Sequence, residues 1–184
     1  NSDVNISIIG GYGGNGVAIT RNDGTKDSKE NNLLNFNCDL IIKGQYDNEW
    51  GISANPENYD ARTNNAGILV EVDNSTVDVS GGIVDMSVYG NGVTVDANKA
   101  VVKFVQGGKI IVPTDTQNDL NYYSFAVYDG SVIYNISSPN SIFNTKTNCN
   151  VVGNMLVDSS SADINFAMNG TNSEFKGTVI NNDG

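Results

Sequence analysis

The chain has 184 residues, 39% of them hydrophobic and only 17% charged, which allows one domain with a sizeable core. A net charge of −11 argues against a nucleic-acid partner, because phosphate binding needs clustered Lys and Arg, and the absence of His excludes every His-dependent nucleophile. No apolar run approaches the roughly 18 residues of a membrane span, so no membrane insertion is expected of this segment.

The polar residues are mostly Asn, Ser, Thr and Gly, which favour turns and strand faces over helices. No stretch shows helical periodicity, whereas short alternating runs recur along the whole chain. Val4-Asn5-Ile6-Ser7-Ile8-Ile9 alternates as a strand, and Gly16-Val17-Ala18-Ile19-Thr20 is another. The glycines between them (GGYGGNG) have no helix or Lys behind them, so they read as a turn rather than a phosphate cradle. A polar loop, residues 21–32, leads to Leu33-Leu34-Asn35-Phe36, then to Asp39-Leu40-Ile41-Ile42-Lys43-Gly44 and Trp50-Gly51-Ile52-Ser53. A second polar loop spans residues 54–65.

The centre of the chain then repeats itself. AGILVEVD-NSTVDVS-GGIVDMS is followed by NGVTVD-ANKAVVKFVQ-GGKIIVP, three short strands each, with a Gly-Gly pair before the third in both lines, Gly81-Gly82 and Gly107-Gly108. Repetition at roughly 20–50 residues marks stacked units, each too thin to bury its own core. After a loop at residues 113–121, Phe125 to Tyr128, Ser131 to Ile136 and Ser141 to Asn144 make a further unit. Asn154 to Val157, Ala162 to Met168 and Glu174 to Ile180 complete the last.

On this template the first strands begin near Leu33, Gly67, Gly92, Phe125 and Asn154, and the Val4 and Gly16 strands are a second and a third strand. The predicted fold is all-β, a right-handed single-stranded parallel β-helix of about five to six coils of three strands, forming one domain over residues 1–184. Val77, Val79, Val93, Val95, Val102, Phe104, Ile110, Val112, Ile164 and Phe166 are expected inside, because they share a strand face. Cys38 and Cys149 fall on well-separated coils and are expected to be unpaired. The chain starts at Asn1, and neither end offers a capping element, so it reads as an internal segment whose ends fray or pair with another copy.

Four aspartates, Asp73, Asp96, Asp129 and Asp158, each end a first strand and would stack in a column. Several oxygen ligands in one place suit a hard cation such as calcium, whereas single aspartates at turns more often cap backbone N–H groups. No carboxylate spacing singles out a glycosidase pair, so no catalytic residue and no cofactor is assigned. Tyr46, Trp50, Tyr59, Tyr122 and Tyr123, with Arg62, lie in or beside the loops and are the candidate partner-binding residues. The loops 21–32, 54–65 and 113–121 are expected to emerge from one corner, between a third strand and the next first strand.

With its Gly-Gly turns and runs such as NSTVDVSGG, the chain resembles the passenger domain of bacterial autotransporter adhesins. The resemblance implies a right-handed parallel β-helix displayed at the bacterial surface or secreted, and a non-enzymatic role. Its partner would be a host-surface protein, a glycan or a second copy of the chain. The competing readings are a polysaccharide-cleaving enzyme of the pectate-lyase-like class, which shares that fold, and a structural spacer in a surface fibre. The Arg and tight Asp cluster of such lyases are not recognisable here.

Overall fold

The computed structural model describes residues 5–10, 15–21, 25–44, 66–88, 90–112, 114–115, 120–135, 149–168 and 173–182. All regular structure among them is strand. In chain order these are β1 (Asn5–Gly10), β2 (Val17–Ile19), β3 (Asn32–Asn35), β4 (Asp39–Gly44), β5 (Ala66–Val70) and β6 (Ser75–Val79). There follow β7 (Val84–Ser87), β8 (Asn91–Phe104), β9 (Gly108–Ile111), β10 (Thr114–Asp115), β11 (Leu120–Asn121) and β12 (Tyr123–Asn135). The last are β13 (Asn150–Val152), β14 (Asn154–Val157), β15 (Ala162–Ala167), β16 (Glu174–Lys176) and β17 (Val179–Asn181).

Apart from the antiparallel β10–β11 hairpin, every pairing is parallel, and the strands fall into three columns. The first column runs β2, β5, the start of β8, the start of β12, β14, β17. The second runs β3, β6, the end of β8, the end of β12, β15. The third runs β1, β4, β7, β9, β13, β16. The chain visits first, second and third column in turn and then returns to the first. Where nothing is inserted the return takes one repeat: Ile68 lies opposite Val93 and Val77 opposite Val102, the same step along the chain in both columns. Loops lengthen the step, as between Leu40 and its partner Val84.

Alternation decides what goes inside. The row Val17, Ile68, Val93, Phe125, Met155 is buried in the first column, as are Val77, Val102 and Val132 in the second and Ile42, Met86, Ile110 and Val151 in the third. Each fully buried side chain of this size contributes about 1.5–3 kcal/mol. Phe104, Phe125, Tyr134, Phe166 and Phe175 pack on one another, with ring centroids 5.3–6.2 Å apart. Of the ten residues expected inside, Val77, Val79, Val93, Val95, Val102, Phe104, Ile110 and Val112 are buried. Ile164 and Phe166 are half-buried; among the described residues β15 pairs with β12 alone. In the first column Leu69, Thr94, Ala126 and Leu156, on the opposite face, are buried as well, which is why these strands read as continuous apolar runs.

Several expectations about phase are corrected. β1 belongs to the third column and β2 to the first, so the N-terminal strands are each one column later than the template placed them. By the same shift Leu33 begins a second-column strand and β4 is a third-column strand. Glu174 to Ile180 is two strands, β16 in the third column and β17 in the first, separated where Gly177 meets the backbone of Gly153. The expected connection before Asn154 ends in β13, which fills the third column beside β9. The expected strands at 50–53 and 141–144 lie outside the described residues. Cys38 and Cys149 form no disulfide with each other, and their turns are three steps apart in the third column rather than four.

The loops do not share a corner. Residues 54–65 join β4 to β5, and residues 113–121 join β9 to β12, both third to first column. Residues 21–32 join β2 to β3, first to second column.

Candidate functional site

Two corners carry the residues singled out in the sequence. The first-to-second corner holds all four aspartates. Asp96 and Asp129 are register partners on neighbouring strands, so their Cα atoms are about one strand spacing apart. Each carboxylate is already engaged. Asp73 Oδ1 accepts the Asn98 N–H at 2.9 Å, Asp129 Oδ1 accepts the Gly130 N–H at 2.8 Å, and Asp158 Oδ1 accepts Asn182 Nδ2 at 2.6 Å. Asp96 Oδ2 pairs with Lys26 Nζ at 2.5 Å. Both partners are partly exposed, so this pair contributes no more than about 1 kcal/mol. Its segment is fastened along the corner by backbone: the Lys26 C=O accepts the Asp73 N–H at 2.8 Å, and the Ser28 C=O accepts Asn74 Nδ2 at 2.5 Å. Asn74, with φ 56°, takes the left-handed turn conformation that Asn tolerates best. Among the described residues no group of three or more His, Cys, Asp or Glu side chains is placed to hold a metal. Asp73 and Asp129 thus take the backbone-capping role weighed in the sequence, whereas Asp96 and Asp158 engage side chains. Lys26 was not foreseen, because its partner lies far along the chain, beyond the loop at residues 54–65.

The third-to-first corner is built differently. Gly16, Gly67 and Gly92 stand directly beneath the following turn, where a Cβ would meet a carbonyl oxygen at 2.7, 2.7 and 2.5 Å. Beside them a series of asparagines ties each turn to the next. Asn15 Oδ1 accepts the Ala66 N–H at 2.9 Å, Asn91 Oδ1 the Tyr123 N–H at 2.9 Å, and Asn154 Oδ1 the Thr178 N–H at 3.0 Å. The triads Asn15-Gly16-Val17 and Asn91-Gly92-Val93 are the sequence signal for this device. The β10–β11 hairpin projects here, and the half-buried Tyr122 and Tyr123 follow it. Tyr46, Trp50, Tyr59 and Arg62 lie outside the described residues.

No family model, curated protein or solved structure matches this chain. Tyr134 is a further chemistry-bearing group among the described residues. It is fully buried, its hydroxyl donates to the Gly108 C=O at 2.9 Å, and its phenol is held far above the ordinary range, first by burial and then by Cys149 beside it. A group so enclosed braces the core rather than meeting a substrate.

Proposed function

We propose that the three columns close into a right-handed parallel β-helix of five to six coils, and that this chain is a segment of a secreted or surface-displayed adhesin. Right-handedness follows the general rule for connections between parallel strands. The β-helix works as a rigid rod, and its long loops at the third-to-first corner contact a host-surface protein, a glycan or another copy of the chain. The resemblance to autotransporter passengers in turn pattern and in Asn, Ser and Thr content points the same way.

One observation carries the reading. Insertions fall between columns, while the inward rows run on uninterrupted from turn to turn. Recognition built on loops over a rigid scaffold has this construction. Tyr122 and Tyr123 place aromatic surface beside one such loop, suited to stacking on a sugar or anchoring a protein.

The test is a glycan-array and cell-binding screen of the intact chain and of a variant in which residues 54–65 and 113–121 are each replaced by a short Gly-Ser turn. The variant is expected to keep the β circular-dichroism spectrum, because the loops lie between ladder strands. It is expected to lose binding. Full binding by the variant, or no binding by the intact chain, overturns the reading.

A further inference from the structure

We infer that Asn15 and Asn91 are sites of spontaneous modification, closed in the folded chain and open in the unfolded one, so that time spent unfolded is written irreversibly into the contacts that join the turns. Each asparagine is followed by glycine, and the corner itself demands both residues. The asparagine Oδ1 accepts a backbone N–H of the next turn, and a Cβ on Gly16 or Gly92 would meet a carbonyl oxygen of that turn at 2.7 or 2.5 Å. Asn-Gly is also the pair in which an asparagine side chain reacts most readily with its own backbone, because glycine has no Cβ to shield its nitrogen or to restrict φ. In that reaction the glycine nitrogen attacks the asparagine Cγ and gives up its proton to solvent. The N–Cγ bond forms, the Cγ–Nδ2 bond breaks and ammonia leaves. Water then opens the five-membered imide at either carbonyl, giving aspartate or isoaspartate, with nothing oxidised or reduced.

The fold holds the reacting groups apart. Ala66 engages both of them at the first site: its N–H donates to Asn15 Oδ1 at 2.9 Å, and its C=O accepts the Gly16 N–H at 3.1 Å. To react, the amide must leave the first bond and the nitrogen the second. At the second site Asn91 is 5% exposed, with Oδ1 on the Tyr123 N–H at 2.9 Å and Nδ2 on Thr94 Oγ1 at 3.1 Å. Gly92 lies in the ladder between the register pairs Ala66–Asn91 and Ile68–Val93. Unfolding releases all of these groups together. Neither product restores the native contact at Asn91. Aspartate puts a charge at a buried position, and isoaspartate lengthens the main chain by one carbon at the first residue of β8. Asn154 makes the same kind of link, to the Thr178 N–H at 3.0 Å, but Met155 follows it, so that corner has the link without the reactive pair. A further Asn-Gly pair, Asn169-Gly170, lies outside the described residues.

This inference is independent of the adhesin reading, since it uses the links between turns and not the loops. Its test is incubation of the intact chain in mildly alkaline buffer, with and without unfolding urea, followed by peptide mapping of each asparagine over time. In urea Asn15 and Asn91 are expected to convert, with isoaspartate among the products, while Asn154 keeps its amide. In buffer alone both conversions are expected to be slower by about a hundredfold or more, since they proceed only through opened molecules, a small fraction of the total. No conversion in urea, rates within about tenfold of each other with and without urea, or Asn154 converting as fast as the other two overturns the inference. The Asn91→Asp variant supplies one product directly and is expected to unfold at lower urea than the parent. An unchanged midpoint shows that the modification leaves the contact intact and likewise overturns the inference.

Discussion

Asn91 offers the sharpest test of how consecutive turns are held together. It is 5% exposed, its Oδ1 accepts the Tyr123 N–H at 2.9 Å, and its Nδ2 donates to Thr94 Oγ1 at 3.1 Å. Asn91→Ala strands the Tyr123 N–H and removes the partner of a fully buried Thr94 hydroxyl. An orphaned buried polar group costs about 1–3 kcal/mol, so the expected loss is about 2–4 kcal/mol. Against a domain stability of about 5–15 kcal/mol this is large. With a urea slope of about 2 kcal/mol/M, the unfolding midpoint falls by about 1–2 M. Thr94→Val isolates the side-chain pair: the double variant should be less destabilised than the sum of the singles by about 0.5–1.5 kcal/mol. An Asn91→Ala midpoint within about 0.5 kcal/mol of the parent, or a coupling of zero, refutes the asparagine link as a structural element.

Two further outcomes follow from the same geometry. Gly108 has φ 129°, and a Cβ there would stand 2.0 Å from the Val84 carbonyl oxygen, so Gly108→Ala should cost more than about 3 kcal/mol, whereas alanine at the exposed Lys29 should change the thermal midpoint little. Tyr134 keeps its proton in the folded chain at a pH where the unfolded phenol has lost it. Its stabilisation is therefore complete below about pH 10 and falls above it by about 1.4 kcal/mol per pH unit. Urea midpoints of the parent should thus drop more steeply between pH 10 and 11, as rough bounds, than those of Tyr134→Phe; parallel slopes would contradict the assignment.

The middle of the chain was legible because nothing interrupts it. Between Ile68 and Val112 the return length is nearly constant, so alternation and the two Gly-Gly pairs fall into step. The N-terminal strands were mis-phased because alternation reports which side chains point inward and not which column a strand occupies. The triad Asn15-Gly16-Val17 matched Asn91-Gly92-Val93 and would have placed β2 correctly. Glu174 to Ile180 reads as one strand in the sequence because Gly177-Thr178 is a weak break; the pairings of Phe175 with Val151 and of Val179 with Met155 separate the two strands. At the acidic corner the aspartates were visible as turn residues. Lys26 was not, since long-range ion pairs leave no periodic trace.

The side-chain links between turns share a direction. Asn15, Asp39, Asp73, Asn91 and Asn154 each supply an acceptor on the earlier turn for a backbone N–H on the later one. Among the described residues only Ser173 Oγ, accepting the Cys149 N–H, makes a link of this kind the other way. A chain that folds from its N-terminus therefore finds five of these acceptors already in place as the later turns arrive.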